Sequence, residues 1–336
     1  MGAGVVAAVP LGRCGWMTTH SGTAGRSQVR ILVFGAGVIG SVYAVKLLQA
    51  GHEVVMLARG HRLSDLQTHG LVLEEAESGN RTVLAVQSVG ELAPDDRYEV
   101  VLVPVRSGQL ASTLPVLAAM NDGSDVLFFG NTAGHQAELL ASLGERALFG
   151  FPAAGGVRDG PVIKYVLIRQ QKTMLGEPSG AMTPRVRHLH DELSGAGFPA
   201  TISTRIDDWL LGHAAFIAPI AFALYRVDTD PARLAADPRI LRSMVLAIWQ
   251  AFTALRAAGN AEIPTNLRVL FLRLPTAFAV AYWRRVFAGP RGELWFGAHS
   301  RAAPDEMRSL AQELQKALRR TGHPTPDLDE LLTSSN

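Results

Sequence analysis

Cysteine is nearly absent from this chain, which contains only Cys14 among its 336 residues. A single thiol excludes an internal disulfide bond, and no cysteine–histidine cluster has the spacing of a zinc site. We therefore predict a protein without a bound metal that works in a reducing compartment, the cytoplasm.

An excess of charge of one sign is also lacking, because 32 basic residues are balanced by 30 acidic ones. The net charge of +2 gives no reason to expect nucleic acid as a partner. Uninterrupted apolar runs of the roughly 18 residues that span a membrane are missing too. The run from Ala214 to Tyr225 is shorter and contains Pro219, so we expect it to be buried in protein. We predict no membrane partner.

A glycine-rich turn stands between a short β-branched run and an amphipathic helix, within a unit of about thirty residues. In this context the first glycine permits a tight turn, the second lets the backbone approach a pyrophosphate, and the third lets helix and strand pack closely. The alternative is a glycine-rich turn without a ligand. We predict a dinucleotide-binding loop formed by Gly35, Ala36, Gly37, Val38, Ile39 and Gly40.

The end of the second predicted strand carries no carboxylate, although a site for NAD usually has one there to accept from the ribose. The segment after Leu57 instead contains Arg59 and Arg62. Guanidinium groups bind phosphate in a bidentate manner, so Arg59 is the first candidate for a 2′-phosphate and Arg62 the second. The alternative for Arg59 is a solvated loop charge. The sequence favours NADP(H).

Further strands and helices alternate up to about residue 151, which predicts an α/β fold with a Rossmann-type, doubly wound parallel sheet. Ligands bind beyond the carboxyl ends of such strands, which is where Arg106 and Asn131 fall. We therefore predict that both contact the cofactor or the substrate, although Asn131 can also be a turn residue that bonds its own backbone. An Asp159-Gly160 pair predicts a hairpin.

The chain from Thr183 onward is mostly helical in pattern, which predicts a C-terminal all-helical domain. We expect a cofactor domain over residues 29–180 and a helical domain for substrate binding and dimerisation over residues 181–336. Residues 1–28 lack periodicity and predict a flexible extension, in which Met17 is a second candidate start.

Four segments, together with Trp209 at the opening of the helical domain, resemble the ketopantoate reductase family over roughly residues 30 to 330. They are ILVFGAGVIGSVYAVKLLQAGHEVVMLARG, YEVVLVPVRSGQL, NTAGHQAEL and GVRDGPVI. The resemblance implies a reductase that transfers a hydride from NADPH to 2-dehydropantoate. It also implies that Asn131 lies near nicotinamide and substrate, and that Glu293 binds substrate. The alternative for Glu293 is a surface glutamate at a helix start. Arg106 stands where the family has a lysine near the cofactor, and it keeps the positive charge.

The resemblance further implies a proton-donating lysine two residues after Trp209, but that position holds Leu211. Leucine cannot donate a proton, and Ala215 and Pro219 replace the substrate-binding asparagines that the family has on the next turns. The only lysines in the chain belong to other segments: Lys46, Lys164, Lys172 and Lys316.

His213 is our candidate for the missing proton donor, because histidine is a competent acid near neutral pH. It lies two residues past Leu211, about 200° around the helix, so it reaches the cleft only if the helix is rotated or shifted in register. The alternative is a core histidine that bonds a nearby backbone group. His135 and His299 are rival donors.

The expected activity is the NADPH-dependent reduction of a 2-oxo acid such as 2-dehydropantoate to the 2-hydroxy acid, in pantothenate biosynthesis. The partners we expect are a small carbonyl substrate and, in a homodimer, a second copy of the chain. Leu211, Ala215 and Phe216 predict a more apolar cleft and a bulkier substrate. A non-catalytic NADPH-binding protein and an imine reductase remain the alternatives.

Overall fold

The computed structural model describes residues 28–120, 123–169, 171–259 and 262–333. The predicted N-terminal extension, apart from its last residue, and Cys14 lie outside the described residues. Two sheets and a group of helices make up the described chain, and the predicted α/β class with a helical C-terminal region is confirmed.

The main sheet has eight strands in the spatial order β12-β11-β8-β7-β6-β1-β2-β5. Neighbouring strands are parallel except for β8 and β11. Strands β2 and β5, which follow β1 in the main sheet, lie on one side of it, and the next strand, β6, lies on the other side. The strand order therefore reverses between β1 and β6, where such folds bind ligands. The strands are β1 (Arg30–Phe34), β2 (Glu53–Leu57), β5 (Gln87–Val89), β6 (Val100–Val103), β7 (Asp125–Phe129), β8 (Ala147–Phe151), β11 (Thr173–Gly176) and β12 (Ala200–Ile202).

A second sheet, with the order β4-β3-β10-β9, packs over helix α1 (Val38–Gln49). Its strands are β3 (Leu71–Glu75), β4 (Arg81–Leu84), β9 (Ala154–Asp159) and β10 (Val162–Leu167). The predicted hairpin is confirmed, because β9 and β10 are antiparallel and Gly160 takes a φ of +55° in the turn. The segment from Thr82 to Val89 is one continuous strand-like run in the sequence, but it is divided between the two sheets as β4 and β5.

Four further helices and β12 complete the sheet-bearing part. The helices are α2 (Gly60–His69), α3 (Leu110–Ala119), α4 (Gln136–Leu143) and α5 (Pro184–Gly195). Val186 and Leu193 of α5 are buried with the core of the main sheet, and β12 pairs with β11. The expected boundary at residue 180 therefore falls inside this unit, which continues to Ile202. A helix that covers a sheet has the same apolar periodicity as a bundle helix, so the pattern after Thr183 did not distinguish the two.

The helical part is arranged around α6 (Ile206–Tyr225) and α8 (Pro238–Ala257), which pack against each other. Asp237 begins α8, because its side chain accepts the backbone N–H groups of Arg239 and Ile240. The other helices are α7 (Pro231–Ala236), α9 (Thr265–Leu272), α10 (Thr276–Ala288), α11 (Pro290–Gly292), α12 (Ala298–Ala302), α13 (Pro304–Arg319) and α14 (Pro326–Thr333). The 3₁₀ turns are Ser107–Gln109 and Gly144–Arg146, and Glu293–Gly297 forms a π-helical turn.

By length and composition alone, α6 and α8 are each apolar enough to cross a membrane. In the folded chain 78% of the apolar window of α6 and 50% of that of α8 is buried within the protein. The core helix of a soluble protein meets the same criterion. The predicted burial of the run from Ala214 to Tyr225 is confirmed, and Pro219 is buried with it.

Candidate active site

The glycine loop joins β1 to α1 at the reversal point of the main sheet. Gly35 takes a φ of +121°, a conformation that favours glycine, and its N–H donates to the carbonyls of Val33 and Leu57, both at 3.1 Å. A Cβ on Gly40 would lie 2.1 Å from the carbonyl oxygen of Gly35, so only glycine allows this approach of helix and strand. A Cβ on Gly37 would meet nothing within 4 Å. The loop therefore faces open space at Gly37.

This open space belongs to a cavity of about 330 Å³ at the carboxyl ends of β1, β2 and β6. The backbone at Gly37 begins α1, no side chain caps the helix, and its first turn contains no acidic residue. The free N–H groups of a helix start and its positive dipole end suit a phosphate. The cavity and the loop thus fit a dinucleotide, and the remaining wall includes Arg59, Val105, Gln109, Thr113 and Arg158.

Three arginines line this cavity, and one of them is already engaged. Arg62 is buried, and its Nε donates to the carbonyl of Ala36 at 2.9 Å while its Nη2 donates to the hydroxyl of Ser41 at 3.0 Å. Burial lowers the pKa of Arg62, and the nearby charge of Arg158 lowers it further. Arg62 therefore braces the glycine loop. Within the described residues, the exposed side chains of Arg59 and Arg158 have no hydrogen-bond partner, so they are free to meet a ligand.

Asn131 and Glu306 connect the sheet to the helical part. Asn131 follows β7, and its Nδ2 donates to Oε1 of Glu306 at 2.8 Å, across 175 residues of sequence. Glu306 lies in the first turn of α13 and is 8% exposed. The side chain of Glu313, further along α13, occupies the space that a Cβ on Gly134 would need. Helix α13 is thus seated directly on the loop after β7.

Arg106 lies beside the same group, after β6 and at the start of the 3₁₀ turn, which contacts α13. Its guanidinium is exposed, and its backbone N–H donates to the side chain of Gln109 at 3.3 Å. The neighbouring hydroxyls of Ser107 and Thr132 are buried and have no hydrogen-bond partner among the described residues. Unsatisfied polar groups at the carboxyl ends of β6 and β7 are typical of a ligand site.

His213 lies on the side of α6 that faces the sheet. Its ring stacks on Trp209, with centroids 5.5 Å apart and planes at 9°, and its centroid is 4.1 Å from that of Phe151 at the end of β8. Burial first, and then the charge of His299, lower the pKa of His213 to about 3. The imidazole is therefore neutral near pH 7, which is unfavourable for the general acid predicted from the sequence. That role stays a prediction.

The apolar residues expected to line the cleft belong instead to the core of the helical part. Ala215 has no exposed surface, and Phe216 packs against Trp283 and Phe296 with ring centroids 5.4 and 6.1 Å apart. Leu211 is half-buried against the same core. Ala215 and Phe216 thus pack in the core while Leu211 keeps part of its surface exposed, and the expectation of an apolar cleft built from these residues stays a prediction.

His299 lies on α12, the helix that precedes α13. Burial lowers the pKa of His299 most, the charge of Glu306 raises it, and the charge of Arg106 lowers it. His135, the other rival donor, begins α4, and its Nδ1 is 3.9 Å from Oε2 of Glu138. The net effect is a lowered pKa for His299, and the donor roles of His299 and His135 stay predictions.

Glu293 begins the π-helical turn, is about half exposed and forms an ion pair with Arg301. Arg301 also donates to the backbone carbonyl of Thr229 at 2.9 Å. The contacts of Glu293 among the described residues are thus with its own surroundings and not with the group around Asn131. Its predicted role in substrate binding stays a prediction.

Sequence reasoning missed Glu306 and Arg158. Glu306 follows the Pro304-Asp305 helix start, where an acidic residue usually acts as a first-turn charge. One feature of the sequence indicated that Glu306 is buried, namely its position directly before Met307, a core residue of the amphipathic helix α13. Arg158 was read only as part of a hairpin turn, and no local pattern indicates that this hairpin reaches the glycine loop.

The sequence of the chain is similar to those of known proteins. A sequence model of ketopantoate reductase PanE/ApbA matches residues 31–180. The 2-dehydropantoate 2-reductase of Mesorhizobium japonicum is 27% identical over 338 residues, which cover 90% of this chain and 96% of that protein. Over residues 31–180 the chain is thus similar to the ketopantoate reductase family. This similarity supports an oxidoreductase that acts on CH–OH groups with a nicotinamide cofactor.

Solved structures share the fold of this chain over about nine tenths of its length. The 2-dehydropantoate 2-reductase of Geobacter metallireducens superimposes with a TM-score of 0.72 at 16% identity, covering 91% of this chain and 99% of that one. D-mandelate dehydrogenase in its ternary structure with NADH and anilino(oxo)acetate gives a TM-score of 0.71 at 17% identity, covering 90% and 96%. At these identities the similarity establishes the fold.

Proposed function

We propose that this protein is an NADPH-dependent reductase of 2-oxo acids, which it converts to 2-hydroxy acids. The observation that carries the proposal is the position of Asn131, Glu306 and Arg106 at the carboxyl ends of β6 and β7, beside the glycine loop. The name of the Mesorhizobium relative makes 2-dehydropantoate the first substrate to test. The cytoplasmic location and the homodimer stay predictions.

The cavity at the glycine loop supports NADPH as the cofactor. Gly37 leaves space for a pyrophosphate at the start of α1, and the end of β2 offers Arg59 where a site for NAD has a carboxylate. Arg158 of the second sheet faces the same cavity, so two free guanidinium groups would hold a 2′-phosphate. When bound, the nicotinamide cofactor supplies the hydride.

The polar group beyond β6 and β7 suits the acid end of the substrate. The exposed guanidinium of Arg106 would bind the carboxylate. An amide nitrogen carries two N–H donors, and Asn131 gives one of them to Glu306, so the second is available for the carbonyl oxygen. These contacts would orient a 2-oxo acid by both of its oxygen-bearing groups.

A larger apolar substituent on the 2-oxo acid is a second candidate. The stack of Phe151, His213 and Trp209 forms an aromatic wall at the end of β8, next to β7. D-mandelate dehydrogenase, which has this fold, was solved with anilino(oxo)acetate. A phenyl-substituted 2-oxo acid therefore belongs in the assay beside 2-dehydropantoate.

The test is initial-rate oxidation of NADPH and NADH by the purified protein. The substrates are 2-dehydropantoate, phenylglyoxylate and, as a control, the amide of each acid. We expect turnover of at least one acid, a preference for NADPH over NADH, and a much slower reaction of its amide because Arg106 loses its partner. Tight NADPH binding without oxidation by any carbonyl would instead favour the non-catalytic alternative.

A further inference from the structure

The segment that forms α9 and α10 carries positive charges that no acidic residue of the same segment balances. Over residues 263–292 the sequence has no aspartate or glutamate, and its charged residues are Arg268, Arg273, Arg284, Arg285 and Arg291. Arg291 lies over the ring of Trp295, 5.4 Å from its centroid. The side chains of the other four are exposed, and among the described residues they have no hydrogen bond or ion pair. The segment is therefore a patch of uncompensated positive charge.

Helix α10 also turns apolar side chains toward solvent. Phe278 is 63% exposed, and Tyr282, one turn further along, is 48% exposed. Leu274, in the turn that joins α9 to α10, is 43% exposed. The remaining exposed positions of α10, apart from its two arginines, are alanines. We call this surface the α10 face and define it by Arg273, Leu274, Phe278, Tyr282, Arg284 and Arg285.

The opposite side of α10 fixes the helix in the protein. Its buried residues, which belong to the core of the helical part, are Ala279, Trp283, Val286 and Phe287. The main contacts of α10 are with α7, α8, α9 and α11. Residues three and four apart lie on the same side of a helix, so Phe278, Tyr282 and Arg285 form one exposed row. The α10 face is thus held in place by packing, and its exposed side chains can be substituted without opening the core.

Two occupants that the chain itself could provide do not match the charge of the α10 face. Residues 1–27 contain no aspartate or glutamate but include Arg13 and Arg26, so the face would repel them. In a symmetric dimer the same patch of both copies meets itself. Such a contact would place the arginines of one copy against those of the other, with no carboxylate of this segment between them.

A bilayer that contains anionic lipids matches both properties of the α10 face. Lys and Arg side chains are attracted to an anionic leaflet. Phenylalanine and leucine side chains enter the boundary between headgroups and acyl chains, and tyrosine lies at the same depth with its hydroxyl in the polar layer. Arginine can lay its stem along this boundary and keep its guanidinium among the headgroups. A bilayer also accepts exposed rings without a preformed pocket, which favours it over an acidic protein surface.

We propose that the α10 face docks this protein reversibly on bilayers that contain anionic lipids. The expectation of no membrane partner, which concerned spanning segments, is revised accordingly to a peripheral contact. The proposal does not depend on the reaction proposed above, because α10 contributes no residue to the wall of the cofactor cavity.

The test is flotation of the full-length protein with vesicles of phosphatidylcholine, either alone or mixed with phosphatidylglycerol. The variant Arg284→Gln/Arg285→Gln removes two charges from the face. The variant Phe278→Ser/Tyr282→Ser removes two rings, both from exposed positions. Thermal unfolding verifies that each variant is folded.

The matched controls alter the same kinds of side chain elsewhere on the surface. Arg319→Gln/Arg320→Gln removes two exposed arginines at the end of α13, so the net charge changes by the same amount. Val83→Ser removes an apolar side chain of β4 that is 58% exposed.

We expect the wild type to float with the anionic vesicles and not with phosphatidylcholine alone. Loss of Arg284 and Arg285 should weaken this binding by about 10–30-fold. Loss of the two rings should weaken it by about tenfold, because less apolar surface leaves water. High salt should weaken the binding of the wild type. Neither control should change the affinity.

Four outcomes would overturn the proposal. The first is that the wild type does not float with anionic vesicles at low salt. The second is an equal loss of binding in Arg319→Gln/Arg320→Gln, which would make the effect one of net charge alone. The third is a dimer, measured by sedimentation velocity, that Phe278→Ser/Tyr282→Ser dissociates while vesicle binding is unchanged, because a second copy would then cover the face. The fourth is binding of polyglutamate without binding of vesicles, which would indicate an acidic protein partner.

Discussion

The glycine loop and the Asn131–Glu306 group lie at the same edge of the main sheet but are built differently. The loop is six consecutive residues, and it acts through its backbone and the space that its glycines leave. The other group joins side chains that follow β6 and β7 to one from α13, held by a 2.8 Å hydrogen bond across 175 residues. The cofactor side is therefore local in the sequence, whereas the substrate side depends on how the two parts of the chain meet.

Two alanine substitutions within the loop should differ in their effect on stability, and Gly40→Ala should have the larger effect. Gly40→Ala should lower the free energy of unfolding by about 3 kcal/mol, because its Cβ would lie 2.1 Å from a backbone carbonyl oxygen. Gly37→Ala meets open space, so it should keep the stability and weaken only NADPH binding. Urea unfolding and fluorescence titration measure the two effects. Equal stability of the two variants would contradict this account of the loop.

On the substrate side, Asn131→Asp should replace an attractive contact by a repulsive one. Two carboxyl groups would then share the 2.8 Å contact with Glu306, which raises the pKa of at least one of them. The unfolded state binds fewer protons than this pair, so stability should fall as the pH rises. We expect a loss of about 2 kcal/mol at pH 8 and much less at pH 5. The double variant Asn131→Asp/Glu306→Gln should restore stability at pH 8. Thermal unfolding at pH 5 and pH 8 measures these differences.

The neutral state of His213 gives a pH test of the aromatic wall at the end of β8. Its pKa of about 3 lies below the ordinary value of 6.5, so the unfolded chain binds the extra proton between these values and stability falls as the pH drops below 6.5. His213→Phe keeps a ring against Trp209 and Phe151 without this titration. We expect the variant to gain about 1–2 kcal/mol relative to wild type at pH 5 and little at pH 7. A difference that does not depend on pH would be contrary to this account.

The smallest effect concerns the two free arginines of the cofactor cavity. Arg59→Ala and Arg158→Ala should each weaken NADPH binding by roughly tenfold and leave NADH binding unchanged, since each removes a charged hydrogen-bond donor to the 2′-phosphate. Arg81→Ala, on an exposed position of the second sheet, is the matched control. Calorimetric titration with both cofactors measures the effect. An equal loss of affinity for NADH would mean that these arginines do not bind the 2′-phosphate.

The sequence was informative wherever a residue's task depended on its neighbours in the chain. Local backbone conformation explains strand β1, the glycines at positions 35, 37 and 40, and the hairpin at Asp159-Gly160. The division of the segment from Thr82 to Val89 between two sheets was not predictable, because both halves have the same strand propensity and differ only in their partners. The placement of α5 beside the sheet was missed for the same reason.

The sequence by itself determined the class of the fold, the cofactor loop and the absence of a lysine after Trp209, because each depends on residue type at a short spacing. Only the tertiary structure decided that Arg62 braces the loop, that Ala215 and Phe216 turn into the core, and that Glu306 meets Asn131. Helix rotation and the seating of α13 on the sheet set these contacts. They arise from packing over the whole chain, which no local pattern records.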